Sequence, residues 1–524
     1  MLIAANQKRY VSDAGAKSRD AVLQSPAMLN RLPPFLALLC ALPVHALDGE
    51  IAVHDPATVI QEAGHYYTYG TGNGLPMLSS DDGWTWHHAG SLMSAVPGGK
   101  PGADVLARGG NNTWAPDVIH VGDRYFLYYA APGTQPKSAI GLLVGRTLDP
   151  ASPDFKWEDG GPVVWSDGVE DSNAIDPGVL LAPDGRLWLT YGSYFGYIRL
   201  VELNPKTGQR LDPRHAPFDI AVNSEASVPI YHEGWYYLLV THGSCCVGAS
   251  STYNIRVGRA RKVTGPYLDN MGVDMLEGGG KLFAGSRGRH VGPGHFGLLD
   301  LGDGVQKFSM HYEADLDRGG ISVLDIRPLL WRDGWPVAGD NLTAGIYAIE
   351  SARSGNVLEL AVQGAPVGGF RPRRPPGTSG PPPPPQPGPP LAEQEASDVG
   401  AAWPATTDVR LAPALLQAQQ KWMLAPVANA GGYPGAPYFR ITIAGTERSL
   451  TATAGGELAA APFTAAAEQL WRIDQLTDGT YRISPKSVPG TRDALALSAV
   501  GSSMPTLAKF DPTSDRQRWL LRSP

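Results

Sequence analysis

Five segments of this chain share one pattern: a short turn feeds an aromatic-rich strand, and an ionisable residue lies shortly upstream. They read HDPATVIQEAGHYYTYG, APDVIHVGDRYFLYYA, IDPGVLLAPDGRLWLTYG, SEASVPIYHEGWYYLLVTHG and GHFGLLDLGDGVQKFSMHYE. Their leading polar residues are His54 with Asp55, Asp117, Asp176, Glu225 and His295. The strand anchors Tyr66, Tyr125, Trp188, Tyr236 and Phe308 follow one another at intervals of 59, 63, 48 and 72 residues. A repeat of this length is one small sheet that cannot bury its own faces, so the units must stack as blades of a propeller. Equivalent strands then start around one axis, and their leading residues converge on one central hole. Acidic and His side chains are costly to hold in such a place without a function.

The chain has 524 residues, more than one core supports. Its 63 Gly and 47 Pro, with only 18% charged residues, suit a loop-rich, all-β protein. No long stretch carries a 3.6-residue apolar period; short alternating runs end in Asp-Gly and Gly-Asp turns, as in PDGRLWLTYG. The repeats predict a five-bladed propeller over residues 47–338.

Ahead of it, Pro33 to Val44 form an apolar run preceded by Arg31 and followed by a small-x-small pattern at Val44-His45-Ala46. The run is too short to span a bilayer, which takes about twenty residues, so no membrane span is expected. Residues 1–46 read as an N-terminal extension and signal peptide, with translation starting at Met28 and the product secreted or periplasmic. From residue 47 onward 38 Lys and Arg face 48 Asp and Glu. That balance argues against nucleic acid or an anionic membrane as partner and fits a neutral substrate. Cys40 leaves with the leader; Cys245 and Cys246 are adjacent and have no further cysteine to complete a soft metal site. Two buried thiols and a vicinal disulfide both remain open.

A second composition, Ala-rich and aromatic-poor, occupies 343–524. Within it, FRPRRPPGTSGPPPPPQPGPP at about 370–391 lacks the amide donors a sheet requires. Gln420-Lys421-Trp422, Gln469-Leu470-Trp471 and Gln517-Arg518-Trp519 are three Q-x-W triplets, their Trp residues 49 and 48 apart. This region resembles a ricin-type β-trefoil, whose first unit starts at IYAIESARSGNVLEL and carries the proline run as an insertion. The resemblance implies that Gln and Trp are structural. Sugar binding in that family commonly uses an early Asp, for which Glu359 is a poor stand-in, Asp493 is out of place, and the second repeat has no match.

Glycosidic hydrolysis needs two carboxyl groups across the bond, one protonated to assist the leaving oxygen and one ionised to activate water. A third nearby carboxylate raises the acid's pKa. Asp55, Asp176 and Glu225 come from the first, third and fourth repeats in matching contexts, and Asp-Pro occurs at the first two. Taken singly, each is also a turn or loop residue; their recurrence is what points to catalysis.

VHDPATVI, NTWAPDV, NAIDPGVLL, SEASVPIYHEGWYYLLVTHGSCC, STYNIRVGRA and GPGHFG resemble glycoside hydrolase family 43, and within it the arabinanases that cut α-1,5-linked L-arabinan. The resemblance implies a five-bladed propeller that inverts anomeric configuration. It assigns Asp55 as general base, Glu225 as general acid and Asp176 as the residue that tunes and positions the acid. Base and acid are then expected about 6.5–9.5 Å apart. His295 matches a histidine that holds a metal ion, usually calcium, near the axis; a hydrogen-bonded axial histidine is the alternative. His54, Trp114 and Asp117 are candidate substrate contacts, although Trp114 could equally fill a blade. Tyr194 and Phe195 stand where related enzymes often carry Phe-Trp, altering a subsite wall. The expected substrate is plant cell-wall arabinan or arabino-oligosaccharides, cleaved internally. The alternatives are an exo-acting α-L-arabinofuranosidase or β-xylosidase, and a non-catalytic carbohydrate-binding propeller.

Overall fold

The computed structural model describes residues 47–134, 136–169, 172–361, 407–501 and 503–524. The expected leader at 1–46 and the proline-rich stretch lie outside the described residues. Among them, no helix is long and apolar enough to cross a membrane.

Five antiparallel sheets follow one another, each with its strands in chain order. The first is Ile60–Glu62, His65–Tyr69, Pro76–Ser80 and Thr85–Ser91, and the second Trp114–Val121, Arg124–Pro132, Ser138–Gly145 and Trp157–Ser166. The third runs Gly178–Leu181, Leu187–Tyr191, Tyr197–Leu203 and Phe218–Val222; the fourth Glu225–His232, Trp235–His242, Asn254–Ala260 and Lys281–Ala284. The fifth is His290–Asp300, Gln306–Asp315, Ile321–Arg332 and Trp335–Ala338. Tight hairpins make this order possible: at Glu233-Gly234 both residues take positive φ, the requirement of a two-residue turn matched to strand twist.

Burial explains the aromatic anchors. Each lies in a second strand, and these strands are buried on both faces, as in Arg124–Pro132, where only the first residue is exposed. A blade is covered by a neighbour on either side, so the alternation of a half-exposed strand disappears. Tyr69, Tyr129, Trp188 and Phe308 fill these interfaces. The ring closes through the N-terminal segment: Asp48–Gly49 pairs with Thr85–Ser91 of the first blade, while Val53 N donates to Ser322 O of the fifth.

The innermost strands approach too closely for side chains at two points. A Cβ on Gly178 would strike Ser227 O, and one on Gly297 would strike Thr58 Cα, each in the adjacent blade.

From Gly345 a different arrangement begins, a ten-stranded sheet with two short hairpins. Its three Q-x-W triplets occupy equivalent places. Trp422, Trp471 and Trp519 are 0% exposed, and each Nε1 donates over 2.9 Å to a carbonyl, of Leu358, Leu450 and Leu497. Gln420, Gln469 and Gln517 accept from the amides of Leu415, Thr464 and Asp511 at 2.7–2.8 Å. Val357–Leu360 pairs with Thr407–Ala412, so the chain on the two sides of the proline-rich stretch belongs to one hairpin. Glu359 is buried and accepts from Arg410 and Gln420, which commits it to the frame rather than to a sugar.

Candidate active site at the propeller axis

Ahead of or within each blade's first strand lies a non-glycine residue of positive φ: Asp55 (46°), Ala115 (40°), Asp176 (55°), Ala226 (50°) and His295 (52°). Pairing slips at the same point in the second, fourth and fifth blades. Such a β-bulge re-aims side chains, and a non-glycine residue held in this region costs about 1–3 kcal/mol. This frame corrects one sequence expectation. The leading residues do not share a single topological position: Asp55, Asp176 and His295 sit on the strained residue, Glu225 with His54 and Trp114 one residue before it, and Asp117 two residues after. A register read from sequence cannot see a one-residue bulge.

Asp55 is the most heavily engaged of them. Its Oδ1 stands 3.0 Å from His295 Nδ1, and its Oδ2 accepts from Thr71 Oγ1 at 2.7 Å and stands 3.4 Å from His54 Nε2. Burial alone would raise its pKa, but the charges of His295 and His54 and the contact with His295 outweigh it and hold the carboxyl well below the usual range. Asp55 is therefore ionised. Thr71 also accepts the Ala115 N–H at 2.8 Å, tying the strained residues of the first two blades together.

Asp176 and Glu225 have the opposite bias. Burial, with repulsion from Glu225 and Asp55, pushes the Asp176 pKa well up, against the pull of His295. Burial also raises Glu225, helped by Asp55 and Glu313 and opposed by a hydrogen bond from Tyr253 Oη. Asp176 Oδ2 accepts the Ala226 N–H at 3.2 Å, which fixes the backbone next to Glu225. One carboxyl group biased towards ionisation thus meets two biased towards keeping a proton.

His295 is buried; burial lowers its pKa, but Asp55, Asp176 and Glu225 together carry it up to about 9. The approach to Asp55 is an ion-pair contact, and neither ring nitrogen completes a hydrogen bond. Nε2 has no hydrogen-bond partner and would ligate a cation only after losing its proton, which a bound cation itself would favour.

The remaining sequence candidates divide. Tyr194 and Glu225 line a cleft of 580 Å³ with Asn223, His242, Gly243, Ser244 and Cys245. Tyr194 and Phe195 are 43% and 49% exposed, suited to meeting a sugar face, and Tyr194 Oη donates to Gly243 O at 2.8 Å. Trp114 is half-buried at the position equivalent to Glu225, so it does not fill a blade interior. Asp117 departs from expectation. It is buried, and its oxygens accept from Thr58 N at 3.1 Å and Val179 N at 2.9 Å, which staples the first and third blades to the second. Cys245 and Cys246 form a disulfide on the cleft wall.

Sequence reasoning missed four residues that contact this site: Thr71, Tyr253, His311 and Glu313. Tyr253 lies in a quoted motif and His311-Tyr312-Glu313 closes the fifth repeat, so the letters were visible. What they touch was not.

A five-bladed propeller with opposed carboxyl groups at its axis defines a glycoside-hydrolase type of protein. The sequence profile of Glycosyl hydrolases family 43 matches residues 49–336, and the chain belongs to that family. An extracellular exo-α-(1→5)-L-arabinofuranosidase of Cellvibrio japonicus is 34% identical over 319 residues, 57% of this chain and 90% of that protein. An extracellular endo-α-(1→5)-L-arabinanase of Bacillus subtilis is 34% identical over 295 residues, 54% of this chain and 87% of that one. Among solved structures, a Cellvibrio cellulosa α-L-arabinanase complexed with arabinohexaose superposes with a TM-score of 0.51 at 31% identity, covering 55% of this chain and 95% of that one.

Proposed function

We propose that this glycoside hydrolase cleaves α-1,5-linked L-arabinofuranosyl bonds in arabinan or arabino-oligosaccharides, by an inverting and internal mode of attack. The observation that carries the reading is the gathering of Asp55, Asp176 and Glu225 around His295 at the axis, with Asp55 biased towards ionisation and Glu225 towards keeping its proton. Asp55 takes a proton from water as its oxygen attacks the anomeric carbon. Glu225 gives its proton to the departing glycosidic oxygen, and Asp176 anchors the adjoining backbone and keeps a proton on the acidic pair. Tyr194, Phe195, Trp114 and His54 supply the walls. The Bacillus subtilis relative and an Aspergillus flavus relative carry endo names, which favours internal cleavage; the Cellvibrio japonicus relative keeps exo action as the second reading.

A divalent ion such as calcium, as the family resemblance implies, would be held by His295 Nε2 in its deprotonated form, and its charge would then help keep Asp55 ionised. The three Q-x-W units are read as a ricin-type β-trefoil appended to the catalytic propeller. The relatives named extracellular support secretion of this chain as well.

Product analysis on linear α-1,5-arabinan with wild type and Asp55→Asn tests the proposal. Short oligosaccharides from wild type, with about 10²–10⁴-fold less from the variant, are expected. Arabinose as the sole product would replace internal with terminal cleavage. No product from folded wild type would leave a binding protein.

A further inference from the structure

Behind Asp55 lie two buried side chains that the reaction itself does not use, His311 and Glu313, beside the half-buried His54. His54, His311 and Glu313 bring their ligand atoms within 4.8 Å of one another, the composition of a transition-metal site. The hydrogen bonding argues for something else. Asp55 N–H donates to His311 Nδ1 over 2.7 Å. A ring nitrogen that accepts carries no proton, so in a neutral imidazole the proton is on Nε2. That nitrogen then has no lone pair for a metal and must find an acceptor. Glu313 Oε1 is 3.5 Å away and 3.8 Å from His54 Nδ1, and neither His311 Nε2 nor Glu313 Oε1 completes a hydrogen bond elsewhere. Burial lowers the His311 pKa, the same direction as the unprotonated Nδ1 that the Asp55 N–H requires.

The other side of this pair reaches the cleft wall. Glu313 Oε2 accepts the Cys246 N–H at 3.0 Å, and His54 stacks on His311 with centroids 4.8 Å apart at 13°. Asp55 needs such support, because its backbone is strained and its side chain must face water and sugar together. We propose that His311 and Glu313 are positioning residues for Asp55, a relay in which Asp55 N–H, the His311 ring and the Glu313 carboxylate fix the base and join it to the Cys245–Cys246 turn. The inference rests on Asp55 being the general base.

The test uses the full chain, linear α-1,5-arabinan, and kcat and KM measured separately beside thermal melting. His311→Ala should lower kcat about 10²-fold with KM nearly unchanged, the effect of misplacing a reacting group by about 1 Å. His311→Asn should recover most of kcat, because Asn Oδ1 can take the Asp55 N–H in place of Nδ1. Glu313→Gln keeps its volume but has one carbonyl oxygen for two donors, and should lower kcat on the order of tenfold. This variant decides the matter if His311→Ala does not fold. Wild-type kcat in Glu313→Gln, or equal loss in His311→Asn and His311→Ala, overturns the relay. Asp55→Asn separates the two readings. An inactive Asp55→Asn beside fully active His311 and Glu313 variants sinks the relay alone. A fully active Asp55→Asn removes the base assignment and the relay with it.

Discussion

The propeller and the C-terminal region are both built from repeats, but they treat their repeated positions in opposite ways. In the C-terminal region three Gln and three Trp residues occupy equivalent places and make equivalent hydrogen bonds, all buried. In the propeller the backbone repeats and the side chains do not: the positive-φ position holds Asp, Ala, Asp, Ala and His. Identity across repeats marks what the frame needs. Divergence on a common, strained backbone marks where chemistry is placed, since a positive φ is kept in all five blades while the side chains are free to differ.

Four substitutions break or sharpen this contrast. The largest effect belongs to Glu225→Gln, expected to lower kcat on arabinan by about 10²–10⁴-fold while sparing more activity on an aryl glycoside whose leaving group needs no acid. Equal losses on both substrates would remove Glu225 from the acid role. Next comes Trp471→Ala. Loss of a fully buried indole should cost about 3–5 kcal/mol in denaturant unfolding of the C-terminal region, with kcat per folded molecule unchanged.

Asp117→Asn tests the boundary between the two kinds of position. One amide oxygen cannot serve both Thr58 N and Val179 N, so about 1–3 kcal/mol of stability should be lost. KM for arabino-oligosaccharides should stay constant; a rise would return Asp117 to the substrate contacts.

The smallest effect is a shift in pH profile. The acid works protonated, so kcat/KM falls as pH rises through the raised Glu225 pKa. The Tyr253 hydroxyl donates to ionised Glu225 and lowers that pKa. Tyr253→Phe should therefore move the alkaline limb to higher pH. A limb that stays fixed would mean that another group sets it.

Much of the architecture was legible because burial writes itself into composition. The doubly covered second strands are rich in aromatic and apolar residues, and the Q-x-W triplets carry identical letters at a fixed period. The candidate carboxyl groups were legible too, since each stood at the head of a repeat. Their exact register was not. Glu225 and Asp117 fall before and after the bulge, and one position either way decides between a residue in the cleft and one holding blades together.

The sequence alone determined the five sheets, the three Trp-centred units and the residue types gathered at the axis, because periodic burial and repeat spacing are properties of the chain. Only the tertiary structure decided which carboxyl group is ionised, that Asp117 is a staple, and that His311 and Glu313 stand behind Asp55. Those outcomes depend on fields and hydrogen bonds between blades far apart in the chain. His311 is 256 residues from the amide it accepts, a separation that no local pattern encodes.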